Sequence, residues 1–252
     1  MYLKSASAIL SAVRMLFSKW TTLALMIAVY GALLLAIYLF ISTREATVSQ
    51  LVLTFAVMFA APMLFFLLQA TSVNYATGSS SLLRKALRDS VKFIAVSLPV
   101  IGLTLLAVYL VGKLQVSLTT GANTSSPNTL TTLTVIRYLL MGVVAPLVTI
   151  QLWIATSTRG LRQLTRGLRE TIASAFAPQA VLVFAFGFLI FAVAPYFLLV
   201  QTIPIERAWL EISVFTARIV VSALLVLVGW VVTIGALSIL STRSDETPVT
   251  QI

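Results

Sequence analysis

Six stretches of this chain are long and apolar enough to cross a bilayer, and this constrains the fold more than any other feature. They fall at about 20–42, 48–71, 93–113, 133–156, 176–202 and 212–240. Each carries few charges and reaches the ~20 residues that a helix needs to traverse a ~30 Å hydrocarbon core. Within lipid, a segment must satisfy its own backbone N–H and C=O groups, so such runs are helices. A water-soluble fold would have to hide all six in one dry core, which 252 residues cannot build around them. A mean hydropathy of +1.05 with only 10% charged residues agrees. The predicted fold class is all-α integral membrane, with six transmembrane helices. The first run spans 23 residues by this reading. That exceeds the roughly 7–15 of a signal-peptide core, and no small-x-small cleavage site follows, so it is expected to remain as a helix.

The chain has 17 Lys and Arg against seven Asp and Glu, and its net charge is +10. In a soluble protein that excess would suggest nucleic acid. Between membrane spans it reads as loop asymmetry, because short cytoplasmic loops collect Lys and Arg. With the N-terminus inside, the inner segments hold Lys4, Arg14, Lys19, the blocks Arg84, Lys85, Arg88, Lys92 and Arg159, Arg162, Arg166, Arg169, and Arg243. The outer side is left with Arg44, Lys113, Arg137, Arg207 and Arg218. Both termini are therefore expected inside, and no nucleic-acid partner is expected. The uncharged, turn-rich stretch 114–132 reads as an outer loop. Within it Asn123-Thr124-Ser125 matches a glycosylation acceptor, read here as a chance match. Residues 203–211, with Glu206, Arg207, Trp209 and Glu211, read as an interfacial anchor. Residues 243–252 read as a short, disordered cytoplasmic tail.

The two large basic blocks are related. A shift of 81 lays "LRKALRDSV" at 83–91 on "LTRGLRETI" at 164–172, and "ILSAVRMLF" at 9–17 is a fainter copy. The second span after each of the first two copies also echoes, "APMLFFLLQATS" at 61–72 resembling "APLVTIQLWIATS" at 145–157. The chain thus reads as one membrane domain, 1–242, of three units at about 3–72, 79–157 and 159–242. Each unit would be an interfacial amphipathic helix followed by a two-span hairpin. At ~100° per residue, Leu83, Leu87, Val91 and Ile94 share one face and the cations another. This places cations among the head groups, where each contributes on the order of 1 kcal/mol near anionic lipid. The eight cations of the two blocks are the candidate lipid or partner contacts.

Catalytic chemistry is hard to find. The chain has no cysteine or histidine, which excludes disulfides, thiolate nucleophiles, histidine-ligated haem and most zinc sites. No span carries an acid in its middle, which argues against a proton relay. Asp89 and Glu170 correspond between copies and read as ion pairs on solvated helix faces. No cofactor and no enzymatic activity are expected. Pro62 and Pro146 occupy matching points in their spans, with Gly229 at the third. Proline removes a donor and kinks a helix, so these three positions are candidate hinges or pathway residues, with plain packing the alternative. Gln69 and Gln151 lie beyond the prolines and are candidates for a polar pathway or for interhelical hydrogen bonds of about 0.6–2 kcal/mol. Arg137 and Arg218 read as snorkelling side chains, or as a paired anion site. Ala24, Ala28, Ala32 and Ala36, with Gly31, form a small-residue stripe expected as an internal seam, or else as a seam for a partner.

The repeated "ALRDSVKF" and "GLRETIASAF", each leading into a span, resemble bacterial six-span inner-membrane proteins of the class found beside glycerophosphodiester phosphodiesterases. That resemblance implies a multi-pass protein of the bacterial inner membrane whose membrane part carries no catalytic residues. The chain also resembles permease subunits of export-type ABC transporters, in which 81–92 would be the coupling helix. The expected function is a scaffold or accessory subunit of a membrane complex that contacts anionic lipid. The alternative is a permease for a lipid-like or small amphiphilic solute, working with a separate ATPase.

Overall fold

The computed structural model describes residues 2–43, 47–76, 82–120, 127–201 and 207–245. Among these residues the chain forms eleven α-helices and two single π-turns, and no strand. The helices are α1 (Tyr2–Ser18), α2 (Trp20–Ser42), α3 (Val48–Asn74), α4 (Leu82–Thr120), α5 (Pro127–Leu139), α6 (Ala145–Arg159), α7 (Leu161–Arg166), α8 (Leu168–Ala175), α9 (Pro178–Phe188), α10 (Ala194–Val200) and α11 (Ala208–Asp245). Six stretches are long and apolar enough to cross a membrane: Trp20–Ser42, Val48–Asn74, Leu82–Thr119, Asn128–Arg159, Pro178–Val200 and Trp209–Thr242. They coincide with the six apolar runs of the sequence.

Local chemistry explains several boundaries. Thr47 and Gln50 form a capping box at the start of α3, the Gln50 side chain accepting from the Thr47 N–H at 3.0 Å. Gly160 separates α6 from α7 at φ 79° and ψ 164°, a conformation open to glycine and strained for other residues. Pro178 opens α9, and the preceding Ala177 is extended (ψ 134°), as a residue before proline prefers.

The two π-turns share a cause. Leu140–Val144 and Leu189–Val193 each run into an Ala-Pro pair, at Pro146 and Pro195. In each, the alanine N–H bonds a carbonyl five residues back, Ala145 to Leu140 and Ala194 to Leu189. The proline ring clashes with the carbonyl four residues earlier, and the widened turn relieves that clash. Pro62, also preceded by alanine, stays within an α-helix.

The chain divides into two compact units, residues 1–90 with 177–252, and residues 91–176. In the first, α11 packs on α1, α3, α9 and α10, while α2 packs on α3 and α1. Close approach to α11 depends on missing side chains. A Cβ at Gly235 would overlap the Tyr75 hydroxyl, and a Cβ at Gly187 on α9 would overlap the Thr233 side chain. A Cβ at Gly229 would come within 3.0 Å of Ile190 and Phe191. Trp230 meets Phe191 edge-on at 5.0 Å, an arrangement that favours the ring quadrupoles. In the second unit, α6 packs on α7 and α8. There Phe93 stacks on Trp153 at 5.5 Å, and the Trp153 indole N–H donates to Ser97 Oγ at 2.9 Å.

Several expectations need correcting. The amphipathic stretch of the second copy is not a separate interfacial helix; residues 82–92 run without a break into the span as α4. The third copy is broken at Gly167 into α7 and α8. Residues 114–120, assigned to an outer loop, prolong α4, and α11 extends through 243–245, assigned to the tail. Asp89 is not on a solvated face but is 1% exposed. The alanine stripe of α2 is not an internal seam: Ala24, Ala28 and Ala32 are exposed and only Ala36 is buried, because α2 turns Met26, Val29 and Leu33 inward. Arg44, Asn123-Thr124-Ser125 and Glu206 lie outside the described residues.

Candidate functional site

The largest concentration of buried polar groups is the C-terminal end of α3. Gln69, Thr71, Ser72 and Asn74 are all buried, in a helix whose first half is mostly exposed. The hydroxyls satisfy themselves locally: Thr71 Oγ1 donates to the Leu67 carbonyl at 2.7 Å and Ser72 Oγ to the Leu68 carbonyl at 2.7 Å. The amides reach other helices. Trp230 Nε1 of α11 donates to Gln69 Oε1 at 2.6 Å. Asn74 Nδ2 donates to Asp89 Oδ2 at 3.2 Å, joining the end of α3 to the start of α4. Such bonds matter because an unmade polar bond in this setting costs roughly 1–3 kcal/mol.

Tyr75 follows immediately. Its hydroxyl donates to the Val231 carbonyl at 3.3 Å, in the space left by Gly235. Burial pushes its phenol above the ordinary tyrosine value, so it is a neutral donor at physiological pH. Beside it lies a cavity of about 310 Å³ lined by Lys19, Thr21, Thr22, Tyr75, Leu82 and Leu83. Lys19 immediately precedes α2, so a cation, two hydroxyl-bearing side chains and a helix start share this cavity. The set can hydrogen-bond and hold charge. It contains no nucleophile with an adjacent base, and among the described residues no group of three or more His, Cys, Asp or Glu could hold a metal ion.

The sequence candidates are distributed as follows. Gln69 makes the interhelical bond to Trp230, and Gln151 is buried in the other unit. Pro62 is exposed, whereas Gly229 is buried against α9 and the π-turn, so these two do not line a common interior. Pro146 is partly buried in the second unit behind its π-turn. Arg84 and Arg88 are exposed and Lys85 and Lys92 partly so, beside exposed Leu83, Leu87 and Val91. In the other block Arg159, Arg162, Arg166 and Arg169 are all exposed, as is Glu170. Arg218 donates to the Gln201 carbonyl and so caps α10, while Arg137 is exposed.

Sequence reasoning missed Asn74, Tyr75, Trp230 and Pro195. The run "QATSVNY" at 69–75 held a usable signal: four polar side chains and a tyrosine closing a span, where lipid contact would disfavour them. Comparison with known proteins gives no match to any family model, curated protein or solved structure.

Proposed function

We propose that this chain is a non-enzymatic, multi-pass protein of the bacterial inner membrane that serves as a scaffold or accessory subunit of a membrane complex. Its three units would run with both termini on the cytoplasmic side, where the basic blocks at 84–92 and 159–169 meet anionic head groups. The observation that carries the reading is the uncovered small-residue stripe of α2. Ala24, Ala28 and Ala32 are exposed, and nothing lies within 4 Å of a Cβ built on Gly31. Hydrophobicity does not drive helices together in lipid; close packing of small residues does. A stripe that its own unit leaves open therefore suits a helix from another subunit. The buried polar bonds support the same reading, since Gln69, Trp230, Asn74 and Asp89 are engaged within the first unit rather than turned toward a substrate.

Purification of the full chain in a mild detergent, with identification of bound proteins, tests this. A stoichiometric membrane partner is expected. Ala28→Leu should weaken its retention about tenfold, equivalent to the 1–2 kcal/mol of a well-packed helix contact. Recovery as a lone monomer would overturn the reading.

The permease alternative draws on the two π-turns, because such bulges recur at functional sites in helices. It requires a co-purifying ATPase and ATP-dependent movement of an amphiphile in reconstituted vesicles.

A further inference from the structure

The break between α1 and α2 leaves hydrogen-bond donors unused. Lys19 precedes α2 at φ −120° and ψ 83°, and no side chain caps the helix. The Lys19 carbonyl accepts from the N–H groups of Thr22 and Leu23, while those of Trp20 and Thr21 meet no acceptor among the described residues. Thr22 is only 9% exposed, and its hydroxyl also has no partner among the described residues. The break explains this. Thr71, Thr149 and Thr233 each donate to the carbonyl four residues back. For Thr22 that carbonyl belongs to Ser18, the last residue of α1, and the turn of the chain at Lys19 separates the two.

These donors border one space, the cavity of about 310 Å³ beside Tyr75 that Lys19, Thr21 and Thr22 help to line. The unpartnered hydroxyls of Ser5, Thr54, Thr156 and Ser222 are sealed within packing; that of Thr22 is not, and the cavity is the open space against it. Lys19 is exposed and makes no ion pair among the described residues, and none of the described residues lining the cavity is an acid. The volume lies at the lower end of the roughly 300–1,000 Å³ of small-ligand sites. The walls also set its depth. Lys19 and Thr22 stand at the start of one apolar span, Tyr75 directly follows the end of the next, and Leu82 opens the third. Trp20, exposed at the same point, is of the residue type that favours the head-group level.

We propose that this cavity binds a phosphate group, carried by a membrane lipid head group or free in solution. An ammonium, a buried hydroxyl and the N–H groups of a helix start offer several donors around one space. A phosphate has the several acceptor oxygens that such a set can meet at once, and both Lys19 and the helix dipole favour its negative charge. Thr22 carries the argument. A helix start beside a surface lysine describes any solvated helix end, whereas a buried hydroxyl open to the same cavity and left unpaired is costly without a ligand. Binding needs no partner subunit, so this inference and the scaffold reading fail separately.

The test uses the full chain purified in a maltoside detergent. Inorganic phosphate is titrated by equilibrium dialysis. Phosphatidylglycerol is titrated by native mass spectrometry, with diacylglycerol, which has the same chains and no phosphate, as the reference. Saturable binding of at least one phosphate-bearing probe is expected, at one per chain. Saturation by phosphatidylglycerol alone identifies the lipid as the source; saturation by inorganic phosphate that displaces the lipid identifies the free anion. Lys19→Gln should weaken the bound probe about tenfold or more, the loss of a charge-assisted bond. Thr22→Val, which keeps the shape and removes the hydroxyl, should weaken it about two- to tenfold, and Thr22→Ser should restore it. Arg137→Gln, at an exposed cation of the other unit, should leave binding unchanged. Several results would overturn the inference: saturation by neither phosphate-bearing probe, diacylglycerol binding as tightly as phosphatidylglycerol while inorganic phosphate does not bind, Thr22→Val binding like the native chain, or Arg137→Gln costing as much as Lys19→Gln.

Discussion

The two longest helices, α4 and α11, have 39 and 38 residues and similar apolar composition. Their surroundings differ. Half of the most apolar window of α11 is buried, against 6% of that of α4. Along α11 the small residues are used: Gly229 receives Ile190 and Phe191, Gly235 receives Tyr75, and Thr233 fits against Gly187. Along α4, Gly102 and Gly112 meet nothing within 4 Å of where a Cβ would stand, and Leu103, Leu106 and Tyr109 are exposed. Hydropathy therefore marks what can enter the bilayer and says little about which helix becomes the hub. That role follows from where small residues coincide with a neighbour's large ones, because lipid and leucine are equally apolar and only close packing distinguishes them.

The largest expected effect pairs Gly235→Val with Gly102→Val. The first forces a branched side chain into Tyr75 and should cost about 3 kcal/mol, at the upper end for overpacking. The second should stay within about 0.5 kcal/mol, as for an unconstrained surface site. Thermal unfolding in detergent, followed by tryptophan fluorescence, measures both, and equal losses would erase the contrast between the helices. Next comes Trp230→Phe, which keeps the aromatic contact with Phe191 but strips Gln69 of its donor. A loss of about 1–2 kcal/mol is expected, mostly recovered when Gln69→Leu is added, because the orphaned acceptor is then gone. No recovery would mean that the hydrogen bond contributes nothing to the α3–α11 contact.

The smallest effect near neutral pH concerns Tyr75. Its folded-state pKa is raised by burial, so the stability tied to its neutral form is fully present below pH ~10 and is lost as pH rises beyond that. An alkaline melting series should therefore fall more steeply for the native chain than for Tyr75→Phe. Parallel curves would show that the phenol does not titrate in coupling with unfolding.

Much of the architecture was legible in the residues. The six spans needed only length and hydropathy, since any helix in hydrocarbon must meet the same backbone requirement. The form of the three related stretches was less legible. Residues 83–91 and 164–172 align well, yet one belongs to a continuous helix and the other is divided. The difference rests on Ala86 facing Gly167 in the alignment, roughly 1 kcal/mol of helix propensity; Pro178, six residues past the third copy, then separates it from the span that follows. Pro195 escaped notice because it lies in the first span of its unit, where the repeat relates it to no other proline, although its local pattern, Val-Ala-Pro, is that of Pro146. Asp89 was misplaced because a helical wheel shows which side chains share a face but not which face meets a neighbour.

The sequence by itself determined the class, the number of spans and the positions of the basic blocks. These follow from one-dimensional requirements: the thickness of hydrocarbon, the backbone's need for hydrogen bonds, and the cost of placing charge in lipid. Only the tertiary structure decided that Asp89 turns inward to Asn74, that Gln69 is taken by Trp230 and that the alanine stripe of α2 remains uncovered. Each of those depends on which helix stands next to which. Among uniformly apolar helices, that choice is made by the shapes of side chains brought together from distant parts of the chain.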